Sequence, residues 1–98
     1  MKIHYTTPAL ADLISILDYI AEHSPQGAKR VQARLRAVIA LLESHPRIGV
    51  RTDDPSIRRF TTLPYPYLVF YEIAENEIIV HAVRHAARNP STMPGSSD

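Results

Sequence analysis

The 98-residue chain has no cysteine, no tryptophan, three glycines and no apolar run approaching a membrane span. Without cysteine there is no disulfide framework, no thiol nucleophile and no thiolate metal site. A reducing, cytoplasmic setting suits such a chain best. Crossing a bilayer takes about 20 apolar residues, whereas the apolar stretch from Leu10 is broken by Asp12 and Asp18. The same two acids deny the N-terminus a signal-peptide core. No HExxH, glycine-rich phosphate loop or nucleophile elbow occurs, which disfavours a metal hydrolase or a nucleotide-dependent enzyme. Neither metal nor cofactor is expected.

What is present points to an ordered domain. Leu, Ile, Val and Phe make up 26 of the 98 residues, above the roughly 20% below which disorder is the default. This length suits one domain that buries roughly 60–65% of its unfolded surface. The net charge of +1 conceals a pattern. Residues 1–25 hold one base against three acids, a net of −2. Residues 26–60 hold eight bases against three acids, a net of +5, and residues 61–98 return to −2. The basic middle offers a landing surface for an acidic partner.

Residues Lys2–Tyr5 read as a short first strand with Ile3 and Tyr5 on one face. Thr6-Thr7-Pro8 then supplies a hydroxyl cap followed by proline at the first helical position. Leu10, Leu13, Ile14, Leu17, Ile20 and Ala21 follow at helical spacing. Ser24-Pro25 repeats the cap signal, ending one helix and opening the next. Ala28, Val31, Leu35, Val38 and Leu42 carry the second helix to Pro46. Two helices joined this tightly form an antiparallel hairpin. Residues 46–55 read as loop, after which the period becomes two. Ile57–Leu63, Tyr67–Ile73 and Ile78–Val83 are predicted strands, the last two paired across Ala74-Glu75-Asn76-Glu77. The expected fold is α+β, in the order β-α-α-β-β-β, with the N-terminal helical hairpin packed on a mostly antiparallel sheet. Residues 1–88 form the domain, and 89–98, with Pro90, Pro94, Gly95 and three serines, read as a flexible tail.

Three groups of residues could carry function. Arg58 and Arg59 open the second strand, but adjacent strand residues face opposite ways, so only one shares a face with Ile57 and Thr61. Such arginines suit edge-strand protection better than an anion contact. Tyr67, Val69, Tyr71 and Ile73 share one strand face, Leu68, Phe70 and Glu72 the other. Core packing of these tyrosines is favoured over stacking on bases or gripping a partner. His85 and Arg88 stand where the last strand runs out, with His81 on the same strand face as His85 if the strand stays regular. Acid–base work and anion contact are both open to His85, against the commoner histidine bonded to a backbone carbonyl. His81 and His85 would lie about 13 Å apart on a strand, too far to share a metal.

Tyr67-Leu68-Val69-Phe70-Tyr71, a short acidic turn, Ile78-Ile79-Val80-His81-Ala82-Val83 and His85-Ala86-Ala87-Arg88-Asn89-Pro90 resemble the RelE/ParE superfamily. These are the toxins of type II toxin–antitoxin modules. Pro8-Ala9-Leu10-Ala11-Asp12-Leu13, His45-Pro46-Arg47-Ile48-Gly49 and Arg58-Arg59-Phe60 fall in matching order, so the resemblance spans residues 2–90. It implies a small toxin neutralised by a cognate, ParD-like antitoxin. The superfamily's ribonuclease branch cleaves messenger RNA on the ribosome with arginine, lysine and a tail tyrosine or histidine. Its ParE branch inhibits DNA gyrase and lacks that set. Where the ribonucleases carry an arginine after the first tyrosine of the third strand, this chain has Leu68, and no Tyr or His follows Arg88. Arginines stay protonated and shuttle protons poorly, leaving His85 to act alone. The resemblance therefore implies a ParE-like gyrase inhibitor, more a binder than an enzyme. The alternatives are a ribonuclease using Arg59, His85 and Arg88, or a non-toxic binding module of the same fold. Contacts with antitoxin or target are expected at Arg30, Arg34, Arg58, Arg59, Tyr67, Tyr71, His85 and Arg88. No membrane partner is expected, and direct nucleic-acid binding stays open.

Overall fold

Both hydroxyl–proline signals act as helix caps in the computed structural model, which describes residues 1–87. Thr6 Oγ1 accepts the Ala9 N–H at 3.2 Å and opens α1, Thr7–His23. Ser24 Oγ accepts the Gly27 N–H at 2.9 Å and opens α2, Pro25–Ser44. Ser24 also closes α1, donating its N–H to the Ile20 carbonyl at 2.8 Å. One residue thus caps two helices, and the hairpin is as tight as the sequence predicts. Among the described residues no helix is long and apolar enough to cross a membrane.

β1 (Lys2–Tyr5) precedes the helices; β3 (Ile57–Thr61), β4 (Tyr67–Ala74) and β5 (Glu77–His85) follow them. Between them, residues 46–55 hold more structure than the predicted loop. A 3₁₀ turn covers Pro46–Ile48, and a two-residue strand, β2 (Val50–Arg51), pairs with β3. Two residues have no period to read, so β2 leaves no sequence signal. The sheet order is β1-β5-β4-β3-β2, with β1 parallel to β5 and every other pair antiparallel. The architecture is the expected α+β one, with one extra edge strand.

α2 buries Val31, Leu35, Val38 and Leu42 against Val69, Tyr71, Ile78 and Val80 of the sheet. A smaller cluster of Ile57, Phe70 and Ala82 occupies the opposite sheet face. β4 keeps the alternation read from sequence, but β5 does not. Its register with β4 steps from Tyr71↔Val80 to Phe70↔Ala82, leaving His81 as an inserted residue. Such a bulge shifts the side-chain alternation by one. Ile78 and Val80 face the helices before it, and Val83 after it. His81 therefore turns to the far face, its Nε2 2.8 Å from Glu72 Oε1. The expectation that His81 shares a face with His85 is corrected for that reason.

The apolar face predicted for α1 is also only partly a core face. Ala9 is fully buried and Leu13, Ile16, Leu17 and Ile20 are half-buried, while Leu10 and Ile14 stay 47% and 60% exposed. So wide an apolar arc exceeds what one sheet contact covers.

β1 pairs with β5 only as far as Val80, and the chain beyond it finishes the job with side chains. Thr6 donates its N–H to the Val80 carbonyl at 3.1 Å and its hydroxyl to the His81 carbonyl at 3.3 Å. Asp12, on α1, accepts the Val83 N–H on Oδ2 at 3.0 Å and Arg84 Nη1 on Oδ1 at 2.7 Å. A helix carboxylate thus closes the sheet edge where the strand stops. Asp12→Ala leaves the Val83 N–H without its acceptor and is expected to cost about 1–3 kcal/mol. Asp12→Asn keeps an acceptor and should cost less. Thermal unfolding checks this, with roughly 4–8 °C of Tm per kcal/mol at this size; an unchanged Tm in Asp12→Ala would refute it.

Candidate functional site

The corner from Pro46 to Arg51 is pinned from below by two residues predicted as partner contacts. Tyr71 is fully buried; its hydroxyl donates to the Pro46 carbonyl at 2.7 Å and accepts the Gly49 N–H at 2.9 Å. Burial raises its pKa above the ordinary 10.0, opposed by the Gly49 hydrogen bond and the Arg58 charge. Arg58 Nη1 donates to the carbonyls of Gly49 at 2.9 Å and Arg47 at 3.2 Å. Gly49 has an ordinary φ of −70°, so glycine is needed there for space. A Cβ would collide with the Tyr71 hydroxyl and lie 2.9 Å from the Arg59 carbonyl oxygen. Arg47, Ile48, Val50 and Arg51 are left exposed on the rigid corner. Tyr71 lies in the core, the packing role favoured from sequence, and Arg58 turns its Nη1 inward.

The remaining candidates are dispersed. Arg30 is exposed on α2, and Arg34 donates its Nε–H to the Leu63 carbonyl at 2.7 Å, tying α2 to the β3–β4 connection. Tyr67 is half-buried on the helix side, its ring edge-on to His85 with centroids 5.5 Å apart. His85 Nδ1 accepts the Ala87 N–H at 3.1 Å. Arg59 is exposed and shares the far sheet face with Ile57 and Phe70. Arg88 lies outside the described residues. The fold therefore joins Tyr67 to His85 and Tyr71 to Arg58, while Arg59 and His85 project from opposite faces. Among the described residues no three His, Asp or Glu side chains converge to hold a metal.

A feature missed by reading residue types is a groove between the helices. Leu13 and Leu17 of α1, Leu35 and Ile39 of α2 and Val69, Val80 and Val83 of the sheet enclose about 200 Å³. Tyr5, Gln32 and Arg36 supply its polar groups. Burial, and then the Glu43 carboxylate, raises the Tyr5 pKa. The signal for this groove was the α1 apolar arc, too wide for a core contact alone.

A helical hairpin laid on a mostly antiparallel sheet is the architecture that the resemblance to the RelE/ParE superfamily implies. A sequence model of the ParE toxin of type II toxin–antitoxin system, parDE, matches residues 3–90. The chain is 36% identical over 87 residues to Toxin RelE2 of Caulobacter vibrioides, covering 89% of this chain and 97% of that protein. Its fold is similar to that in the solved structure of a chromosomal ParDE TA system from P. aeruginosa, with a TM-score of 0.72 at 22% identity. That match covers 87% of this chain and 95% of the other. The chain belongs to the ParE toxin family, within the RelE/ParE superfamily.

Tyr71→Phe leaves the Gly49 N–H and Pro46 carbonyl without their partner and is expected to cost about 1–3 kcal/mol. Gly49→Ala should cost a similar amount through overpacking, about 1–3 kcal/mol. Because folding raises the Tyr71 pKa, the stability it adds is present below its ordinary value of 10.0 and is lost as pH rises through the folded value. Denaturant titrations above that pH should show wild-type stability falling more steeply than that of Tyr71→Phe. Parallel curves would remove this role.

Proposed function

We propose that this toxin acts by inhibiting DNA gyrase in the cytoplasm, and that a cognate antitoxin neutralises it by wrapping the helical hairpin and crossing the sheet. The observation carrying the gyrase reading is the dispersal of the residues a ribonuclease would need. Metal-independent RNA cleavage requires a base, an acid and cationic donors to converge on one phosphate. Here Leu68 stands in place of a cation on β4, and Arg59 and His85 lie on opposite sheet faces. That separation of Arg59 from His85 supports a binding role over a catalytic one. The purified toxin should block supercoiling by gyrase and accumulate cleaved DNA, leaving RNA intact. Unimpaired supercoiling at stoichiometric excess would sink the proposal.

The ribonuclease reading draws support from the name of the relative, Toxin RelE2, and would use Arg59, His85 and Arg88. Primer extension on transcripts after induction distinguishes the two: new ribosome-dependent 5′ ends would favour cleavage. Growth arrest by the intact chain alone would exclude a non-toxic binding module.

The antitoxin reading rests on the family and on the placement of charge. Lys29, Arg30 and Arg36 are exposed on α2 and Arg59 on the sheet, a basic surface suited to an acidic segment that folds on binding. Amide-exchange protection should rise over residues 29–36 and 58–60 when the antitoxin binds. Unchanged exchange there would count against it.

A further inference from the structure

The corner between α2 and β3 exposes side chains that neither the core nor the hairpin uses. Ile48 and Val50 stay 43% and 60% exposed. Arg47 and Arg51 flank them, and among the described residues neither guanidinium has a hydrogen-bond or ion-pair partner. Residues 45–52 hold no acid. Of the two acids that follow, Asp53 is exposed, while Asp54 accepts the Ser56 N–H at 2.9 Å and its hydroxyl at 2.7 Å. The backbone beneath is fixed. Tyr71 holds the Pro46 carbonyl and the Gly49 N–H, and Arg58 holds the carbonyls of Arg47 and Gly49. Side chains carried on a backbone so held lose little further freedom on binding, which is how a preorganised surface gains affinity.

We infer that this corner is the toxin's contact with gyrase. Ile48 and Val50 pack against an apolar patch of the target, and Arg47 and Arg51 pair with carboxylates at its rim. The inference rests on the gyrase reading and names the part of the toxin that serves it. An apolar centre edged by arginine, with no lysine, is the composition of a protein interface, in which a few such anchors carry most of the binding energy. Bare DNA fits less well, since phosphates ask for cations and polar donors rather than two aliphatic side chains. A second copy of the chain also fits less well, because a two-fold contact would set these arginines against their own kind. The antitoxin surface adjoins the corner without including it. Residues 29–36 lie at least ten residues before Pro46, roughly 15 Å at about 1.5 Å per helical residue. β2 pairs with Arg58 and Arg59, so an antitoxin seated over residues 58–60 stands one strand spacing, about 4.8 Å, from the target's seat. The two proteins then exclude each other.

Supercoiling by purified DNA gyrase, titrated with the full chain, tests it. Arg47→Glu combined with Arg51→Glu should raise the toxin concentration for half-inhibition by roughly tenfold or more, equivalent to about 1.4 kcal/mol. Val50→Thr keeps the β-branched shape and should raise it by a smaller factor. Lys2→Glu reverses an exposed charge on the opposite edge strand and should leave inhibition unchanged. Circular dichroism and Tm should match wild type throughout, because the altered side chains are exposed. Where charge reversal lowers Tm, Arg47→Gln combined with Arg51→Gln removes the charges without adding acids and should show the same loss. Wild-type inhibition that the corner variants keep would overturn the corner and leave the gyrase reading standing. A wild type without effect on gyrase would overturn both. An equal loss in Lys2→Glu would overturn the inference by reducing it to overall charge. Fluorescence anisotropy with a labelled DNA duplex gives the last check: wild-type binding that the double variant loses would make DNA the occupant and overturn a protein contact.

Discussion

The Asp12 carboxylate sets the geometry on which most of this molecule depends. β5 lies inside the sheet, yet β1 pairs with it only through Val80. Beyond that point the strand's outward backbone groups would face solvent or another chain. Asp12 answers the Val83 N–H and Arg84 with one side chain, and Thr6 answers Val80 and His81. That arrangement anchors the first half of α1 against the β5 edge. It leaves Leu10 and Ile14 facing outward and a groove open between the helices. An acidic residue early in α1 therefore decides both where the sheet ends and which surface is left to bind.

The second anchor lies at the other side of the sheet. The Tyr71 hydroxyl and the Arg58 guanidinium spend their hydrogen bonds on the Pro46–Gly49 backbone. Both residues belong to the basic, tyrosine-bearing strands that invite a binding interpretation, and both instead hold a corner in place. The cost of orphaning a buried polar group explains this use, since a buried phenol must find partners. What remains for partners is a basic outer surface of α2, the exposed Arg59, the side chains of the corner and the groove. This division leaves a toxin of the ParE family with exposed charge on α2 and at Arg59.

The helices were legible because their caps and periods are local. Thr6, Ser24 and the prolines after them act within one turn of chain, and the alternation in β4 survives folding intact. The β5 bulge was not legible. His81 looks like any residue in a β-branched run, and only pairing with β4 reveals that two residues oppose one. β2 was hidden by its brevity. The groove was hidden because an apolar residue on a helix reads the same whether its neighbour is a sheet or an empty space.

By itself, then, the sequence determined the α+β class, the helical hairpin, the β4–β5 hairpin, the basic middle segment and the resemblance to a toxin family. The helices and the β4–β5 hairpin depend on residue order within a few turns or a few strand residues. The tertiary structure alone decided that Arg58 faces inward, that Arg59 and His85 part to opposite sides, and that Leu10 and Ile14 stay uncovered. Those outcomes depend on which distant segments meet, as Asp12 meets Val83 across 71 residues, and such meetings are set by packing and by the need to satisfy buried polar groups.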